Sequence, residues 1–317
     1  MATPLTDFIH DAREGLARPP RRLPARYFYD ALGSALFEAI TVLPEYGLTR
    51  ADARLIRAHA AALARRLPRR VRVIELGSGS AVKTRPLLER LARGRALAYC
   101  PIDISRAALE RCAFELRGLA GVALRPIAAG YEAGLGRALA GRRRGEGALL
   151  LFLGSSIGNF EPEAARAFLR RLRQRLDAGD LFLLGADLVK DRARLRRAYD
   201  DAAGVTAAFN KNLLARMNRE LGANFELSGF AHEARWNETA RRIEMHLRAL
   251  RRQRIRIPAA GLAFTLRPGE TLWTESCYKY RPGELRAWAR QTGFKPLAEW
   301  RDRAWPFTEN LWQAAEA

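Results

Sequence analysis

The chain has 317 residues, 48% of them hydrophobic, which is enough for one large or two modest domains with a sizeable core. Its formal charge of +21 raises the question of a polyanionic partner such as RNA. There is no apolar run of about 18 residues and no signal-peptide stretch, so we expect neither a membrane span nor export. We therefore expect a cytoplasmic protein. Three cysteines without C-x-x-C spacing and four histidines without ligand spacing argue against a disulfide framework and against a metal site.

The basic residues behind this charge are spread along the chain. Segments such as residues 164–176, "AARAFLRRLRQRL", interleave Arg with Leu and Phe at helical spacing, which is typical of solvated helix faces. We therefore expect no nucleic-acid partner. An RNA methyltransferase stays open as an alternative, and a steep salt dependence of RNA affinity would reveal it.

The first elements in chain order are a leader and an alternating helix and strand region. Residues 1–50 are predicted to be loop-rich and aromatic, and a helix is predicted from Ala51. Up to about Gly185, helices then alternate with apolar runs of the kind that fill a parallel sheet covered on both faces. These predicted strands are residues 71–76, 96–104, 122–128, 148–156 and 180–188. The alternation predicts a doubly wound α/β core.

The pattern changes after Asp187. Residues 194–222 are predicted to be one helix, and alternating segments at 241–250, 254–257 and 262–266 predict antiparallel strands. A last helix over 282–293 and the segment 294–303 are predicted to return to the sheet.

The first strand runs into a glycine-containing loop, "VIELGSGSAVKT". Gly77 and Gly79 lack a β-carbon, so the backbone can turn tightly and approach a ligand, and a helix is predicted from about Val82. A dinucleotide fingerprint would place a third glycine at position 82 to pack around a pyrophosphate. Val82, together with Glu75 ahead of the loop, favours S-adenosylmethionine (SAM), which has no phosphates.

Asp103 ends the second predicted strand, about 26 residues after Gly77. A carboxylate at this spacing is suited to accept hydrogen bonds from the two ribose hydroxyls of the cofactor. The alternative is an N-cap for the following helix, a role that Ser105 is equally able to fill.

Asn159 follows the fourth predicted strand, in "LFLGSSIGNF". Its amide offers donors and an acceptor within one rigid group, which suits the carboxylate and amine of an amino acid. The alternative is a turn residue before the next helix. Enzymes that methylate exocyclic nucleobase nitrogens usually have Pro-Pro and an aromatic residue at this place, and neither proline is present here.

Several blocks together resemble the ergothioneine-pathway L-histidine Nα-methyltransferases, over nearly the whole chain and in the same order. The blocks are "YFYDALGSALFEAITVLPEYGLTR", "ELGSGSAVKTR", "PIDIS", "LFLGSSIGNF", "ADLVKDRARLRRAYDDAAGVTAAFNKNLLARMNREL", "ARWNETARRIEMHLRA" and "TESCYKYRP". The resemblance implies a SAM-dependent enzyme that methylates the α-amino group of L-histidine up to three times, giving the betaine hercynine. It also implies a doubly wound Rossmann-like methyltransferase core with a second α+β substrate-binding domain.

The resemblance implies residue roles by matching position. Gly77, Gly79, Lys83 and Asp103 match cofactor contacts, and Tyr131 is the aromatic residue at the adenine. Tyr29 faces the amine, and three further residues surround the backbone groups of the amino acid: Tyr46, Asn159 and Tyr199. The residues around the imidazole are Met245, Glu275 and Cys277. The bland alternative for each tyrosine is a core residue with a locally satisfied hydroxyl.

The resemblance further implies how the chain divides. Residues 51–192 and 283–317 are expected to form the SAM-binding domain, and residues 1–50 and 193–282 the substrate-binding domain, closing one wall of a pocket over the cofactor. We expect a monomer.

Three positions depart from the family pattern. Gly130 stands where many members have Asp at the adenine, Gly47 replaces a tyrosine, and Cys277 replaces a serine. They leave two alternatives open besides an RNA methyltransferase: a methyltransferase of another aromatic amino acid, and a homologue that binds the cofactor without catalysis.

Overall fold

The computed structural model describes residues 5–316, which form two compact units. The first unit contains the described residues up to Gly47 together with Lys190–Cys277, and the second contains Leu48–Val189 together with the residues from Tyr278 onward. The chain thus changes unit after residues 47, 189 and 277, where the sequence predicted changes after residues 50, 192 and 282.

The described residues form ten α-helices. They are α1 Leu5–Leu16, α2 Ala31–Val42, α3 Gly47–Arg66, α4 Arg85–Leu91, α5 Arg106–Glu115, α6 Tyr131–Ala140, α7 Pro162–Arg175, α8 Arg192–Tyr199, α9 Val205–Leu221 and α10 Glu284–Gln291. Across the same residues there are thirteen strands. They are β1 Arg70–Leu76, β2 Ala96–Asp103, β3 Val122–Leu124, β4 Ile127–Ala128, β5 Gly147–Phe152, β6 Leu181–Asp187, β7 Phe230–Asn237, β8 Arg242–Ala249, β9 Gln253–Ile257, β10 Leu262–Leu266, β11 Thr271–Tyr278, β12 Phe294–Asp302 and β13 Phe307–Ala314.

The second unit is built on one large sheet with the order β12-β13-β6-β5-β1-β2-β3, in which β4 also pairs with β2. Strands β1 to β6 pair in parallel, and the β12–β13 hairpin joins the edge of β6 antiparallel. Strands β1, β5 and β6 are buried at nearly every position because helices cover both faces of the sheet. The predicted doubly wound α/β fold is confirmed, and the predicted third strand is divided into β3 and β4.

The carboxyl ends of the parallel strands determine where this unit can hold a ligand. The chain builds β1, β2 and β3 in one direction across the sheet and β5 and β6 in the other. A crevice opens at the carboxyl edge where the strand order reverses, between β1 and β5. The loops after β1 and β5 contain Gly77 and Asn159, and they meet there with Asp103, the last residue of β2.

The first unit contains a three-stranded sheet, β11-β8-β7, and the β9–β10 hairpin, with α1, α2, α8 and α9. The prediction of a loop-rich leader was wrong, because α1 and α2 occupy much of it. The predicted single helix over 194–222 was also wrong. It breaks between Tyr199 and Val205, where Gly204 has φ +74° and the Asp201 carboxylate accepts the N–H groups of Val205 and Thr206.

The antiparallel strands β8, β9 and β10 were predicted, but β7 and β11 were not. Both are half-buried and rich in charged or aromatic residues, so they lack the clean apolar alternation that marks a strand. None of the helices in residues 5–316 combines the length and the apolar character that crossing a bilayer requires.

Candidate active site

The loop after β1 departs from helical geometry at three positions, with φ of +69° at Gly77, +54° at Gly79 and +59° at Ala81. The N–H groups of Gly77 and Ser78 both donate to the Ile102 carbonyl of the neighbouring strand, at 2.8 and 3.2 Å. The following helix begins at Arg85 and not at Val82, because the left-handed Ala81 delays the helical turn. The tight turn that two glycines predicted is therefore present.

Tyr131 lies directly against Gly77. A β-carbon placed on Gly77 would lie 3.3 Å from the Tyr131 hydroxyl, so this position requires glycine for space as well as for its φ. The Tyr131 ring packs edge-on against Phe152 at 5.3 Å, and burial raises the pKa of its hydroxyl, which stays neutral. The structure thus brings two of the predicted cofactor residues together.

Asp103 connects the loops after β1 and β2. Its Oδ2 accepts the Gly79 N–H at 3.1 Å, and its Oδ1 accepts the Ser105 N–H at 2.9 Å. The N-cap alternative for Asp103 is excluded, since Ser105 caps α5 by accepting the Ala108 N–H. A carboxylate oriented by backbone donors is suited to accept the hydrogen bonds of a ribose diol.

The side chains of Glu75 and Lys83 lie beneath the loop after β1. The buried Glu75 carboxyl accepts the Tyr99 hydroxyl at 2.5 Å and the Thr84 hydroxyl at 2.8 Å, and burial raises its pKa to about 7. The Lys83 ammonium pairs with Asp52, a residue for which the sequence pattern gave no signal. Asp52 and Lys83 are 31 positions apart, so only the fold places them in contact.

Asn159 is exposed at the end of a short 3₁₀ helix, Ser156–Asn159, after β5. Gly154 and Ser155, which precede it, have φ of +70° and +61°. The Ser155 hydroxyl accepts the Asp187 N–H at 2.9 Å, and the Ile157 carbonyl accepts the Tyr280 hydroxyl at 3.2 Å. These contacts fix the loop that presents the Asn159 amide.

In the first unit, three of the predicted substrate residues meet. The Tyr199 hydroxyl donates to the Cys277 sulfur at 2.9 Å, and the Tyr46 ring lies edge-on to the Tyr199 ring at 6.1 Å. All three side chains are buried, with exposures of 5 to 7%. The thiol at position 277 therefore serves as an acceptor for a tyrosine hydroxyl.

His232 and Asn210 hold Tyr199 in place, and sequence reasoning missed both. The His232 Nε2 lies 2.7 Å from the Tyr199 carbonyl, and its Nδ1 lies 2.8 Å from the Asn210 amide nitrogen. Because the amide nitrogen is a donor and the carbonyl an acceptor, the tautomer with its proton on Nε2 satisfies both contacts. Isolated histidines and asparagines occur in every sequence, so no spacing marked this pair.

Met245 lies on the sheet face that bears His232, since Ala234 pairs with Met245 and His232 with Leu247. Trp273 lies on the opposite face, where it stacks on His246 and under Arg242. Cys277, four residues after Trp273, contacts Tyr199, and Glu275 lies between Trp273 and Cys277 on the same strand. Glu275 is half-buried, and its carbonyl accepts the Trp273 indole N–H at 2.9 Å.

Tyr29 belongs to a separate aromatic cluster of the same unit. Its ring lies edge-on to Phe37 at 5.6 Å and to Phe209 at 5.8 Å. The next residue, Asp30, caps α2 and accepts the Asn212 amide and the Arg219 guanidinium. Burial would raise the pKa of Asp30, but these donors lower it, so a charged anchor holds the backbone beside Tyr29.

Comparison with known proteins identifies the family. Residues 8–314 match the model of histidine-specific, SAM-dependent methyltransferases. The chain belongs to this family. The chain is 44% identical over 303 residues to the histidine N-alpha-methyltransferase of Mycobacterium tuberculosis, and the alignment covers 95% of this chain and 93% of that protein. It is 42% identical to the enzyme of the same name from Mycolicibacterium smegmatis, with the same coverage.

A solved structure supports the fold alone. The CurJ carbon methyltransferase aligns with a TM-score of 0.50 at 13% identity, covering 90% of this chain and 60% of that one. The expected family, Rossmann-like fold and SAM cofactor are thus confirmed, and this chain is a SAM-dependent methyltransferase.

Substitutions at the glycine loop test the cofactor site. We expect Gly77→Val to abolish SAM binding, because the side chain would strain the positive φ and collide with Tyr131. Asp103→Ala should weaken binding by about 1.5 to 3 kcal/mol through lost charge-assisted hydrogen bonds. Isothermal titration calorimetry with SAM measures both effects.

Gly118→Val is the matched control, since Gly118 has φ +72° but open space around it and lies away from this loop. It should bind SAM like the parent. Parent-like binding by both Gly77→Val and Asp103→Ala would place the cofactor elsewhere.

Proposed function

We propose that this histidine-specific methyltransferase transfers up to three methyl groups from SAM to the α-amino nitrogen of L-histidine, giving hercynine. The observation that carries the proposal is the buried contact between the Tyr199 hydroxyl and Cys277. The family resemblance assigns both residues to the amino-acid site, and their contact supports that assignment.

The reaction requires positioning more than a strong base. Methyl transfer is an in-line displacement in which the positive charge of the sulfonium disappears, and the attacking nitrogen needs a free lone pair. A carboxylate beside the amine would stabilise the unreactive ammonium form. Tyrosine hydroxyls and an amide hold an amine without that effect, and the predicted amine and backbone contacts are Tyr29, Tyr46, Asn159 and Tyr199.

Each unit has a proposed role. The second unit binds SAM through the glycine loop, with Gly77 and Gly79 allowing close approach, Asp103 accepting the ribose hydroxyls, Tyr131 at the adenine and Lys83 pairing with the only anionic group of SAM, its carboxylate. The first unit binds the amino acid. Within it, Tyr29 orients the amine and Met245 contacts the imidazole, and in the second unit Asn159 anchors the backbone groups.

Histidine is the preferred substrate because imidazole offers both a donor and an acceptor. Glu275 accepts the ring N–H, and the group at position 277 faces the other nitrogen. Indole offers one N–H and no acceptor, so a site devoted to tryptophan would not need this pairing. Cys277 already accepts the Tyr199 hydroxyl, and its S–H is a weak donor, which limits how well it serves the ring.

We also propose that the protein is a cytoplasmic monomer that does not act on nucleic acid. Several arginines are engaged in ion pairs with this chain's own carboxylates, such as Arg54 with Asp302 and Arg142 with Asp180. Charge that is neutralised in this way adds little to a phosphate-binding surface. An RNA affinity that fell steeply with salt would contradict this part of the proposal.

Tyr29→Phe tests the role of the amine contact. We expect the first methylation to remain detectable and the last to be impaired, because the dimethylated nitrogen has the fewest hydrogens to orient it. Mass spectrometry of mono-, di- and trimethylhistidine over time measures this. Tyr27→Phe is the matched control, since the Tyr27 hydroxyl donates to Asp11 at 2.7 Å and has no proposed role. An unchanged product distribution in Tyr29→Phe would remove Tyr29 from the reacting amine.

Asn159→Ala should raise the KM for histidine, because it removes the backbone anchor of the amino acid. Initial rates at saturating SAM measure the KM, and calorimetry checks that SAM still binds. A histidine KM equal to that of the parent would exclude this role.

Glu275→Ala and Cys277→Ser test substrate choice. Glu275→Ala should weaken apparent histidine affinity by about 1 to 3 kcal/mol, the cost of an unpaired buried polar group. Cys277→Ser should improve it, since a hydroxyl accepts from Tyr199 and also donates well. The measurement is kcat/KM for histidine, tryptophan and tyrosine, with Glu270→Ala in the turn before β11 as control. Faster turnover of tryptophan or tyrosine by the parent would overturn the histidine assignment and leave amino-acid N-methylation standing.

A further inference from the structure

Three buried carboxyl groups and one ammonium meet beneath the carboxyl edge of the large sheet. Asp52 lies on α3, Glu75 near the end of β1, Glu309 on β13, and Lys83 in the loop before α4. The three acids are at most 1% exposed. The Lys83 ammonium pairs with the Asp52 carboxylate.

One oxygen of Asp52 connects two loops of the site. Its Oδ2 accepts both the Lys83 ammonium and the Gly154 N–H, the latter at 2.9 Å. Lys83 belongs to the loop after β1, and Gly154 to the loop after β5 that leads to Asn159. A β-carbon on Gly154 would lie 3.5 Å from the Lys83 nitrogen, so the two loops approach closely at this point.

The second oxygen of Asp52, Oδ1, has a different environment. Among the described residues, no protein group donates a hydrogen bond to Asp52 Oδ1 or to either carboxyl oxygen of Glu309. Two neighbouring buried carboxylates without donors repel each other, so one of them carries a proton. Asp52 already accepts the Lys83 ammonium and the Gly154 N–H, whereas none of the described groups donates to Glu309. Burial, with Asp52 beside it, raises the pKa of Glu309 well above its usual range, and its O–H supplies the missing donor to Asp52.

Lys83 remains charged in this environment. Burial alone would lower the pKa of Lys83, but the carboxylates of Asp52 and Glu75 outweigh that effect and raise it. An ammonium has three donors, and Asp52 takes one of them. The remaining donors are suited to an anionic ligand at the edge of the sheet.

We propose that Asp52 is a positioning residue for methyl transfer. It holds the Lys83 ammonium toward the carboxylate of SAM and couples that contact to the loop that presents Asn159. The inference rests on the proposed function, in which Lys83 binds the cofactor.

Asp52→Asn is the direct test, with SAM affinity measured by titration calorimetry at about pH 7 and about pH 9.5. We expect a loss of about tenfold or more, since a charge-assisted hydrogen bond orients Lys83. The loss should grow with pH, because Lys83 without Asp52 releases its proton at lower pH and then no longer attracts a carboxylate. A purely structural role would lower stability without changing this pH dependence.

Asp302→Asn is the matched control. The Asp302 carboxylate on β12 accepts two hydrogen bonds of 2.7 Å from Arg54, which lies on α3 as Asp52 does. Asp302 takes no part in the loops after β1 and β5. It should follow the parent at both pH values. Glu309→Gln should also bind SAM within about twofold of the parent, because a neutral amide donates to Asp52 as a protonated carboxyl does. A tenfold loss in Glu309→Gln would overturn the protonated assignment.

A second comparison keeps the test decisive if Asp52→Asn does not fold. It sets Lys83→Met against the double variant Asp52→Asn/Lys83→Met, in which neither member of the buried ion pair is charged. Since Asp52 acts on SAM through Lys83, both should bind SAM equally, while the double variant should show a higher histidine KM because Gly154 has lost its partner. A further tenfold loss of SAM affinity in the double variant would overturn the inference.

The cofactor role of Lys83 and the positioning role of Asp52 can be contradicted independently. Parent-like SAM binding by Lys83→Met would contradict the cofactor role of Lys83 in the proposed function. Weak binding by Lys83→Met together with parent-like affinity and pH dependence in Asp52→Asn would overturn only the role of Asp52.

Discussion

The hydrogen bond from the Gly79 amide to the Asp103 carboxylate holds together the two loops on which the cofactor site depends. A parallel sheet buried on both faces offers a ligand only the loops at its carboxyl edge, and each loop must be fixed by its neighbours. Asp103 does this for the loops after β1 and β2. The left-handed Gly77 then places its backbone against Tyr131, so the turn geometry, the proposed ribose contact and the proposed adenine contact depend on one another.

Much of the second unit could be predicted from sequence because its signals are local. Continuous apolar runs marked β1, β2, β5 and β6, and glycine spacing marked the loop. The first unit was harder. In the sequence, its helices α1 and α2 are flanked by loop residues and aromatic side chains. The break between α8 and α9 depends on a single left-handed glycine, Gly204. Strands β7 and β11 carry both polar and apolar residues without a clean alternation. Their pairing within the sheet, and not their periodicity, therefore determines that they are strands.

The site divides in the same way. Gly77 and Asp103 follow from the spacing of residues around strand ends, whereas the roles of Tyr46, Tyr199 and Met245 followed only from resemblance to a family. Asp52, His232 and Glu309 gave no signal, because each faces a partner that is distant in the chain: Asp52 faces Lys83, His232 faces the Tyr199 carbonyl and Glu309 faces Asp52. The charge of +21 was equally uninformative about partners, since the basic residues behind it are spread along the chain.

The proposed acceptor of the methyl groups is the α-amino nitrogen of histidine. The most direct measurement is NMR spectroscopy of the product formed from histidine and SAM labelled with ¹³C in its methyl group. We predict long-range correlations from the labelled methyl protons to the Cα carbon of histidine, with one equivalent set of methyl groups at completion. Correlations to imidazole ring carbons, or no transfer of label to histidine, would contradict the claim.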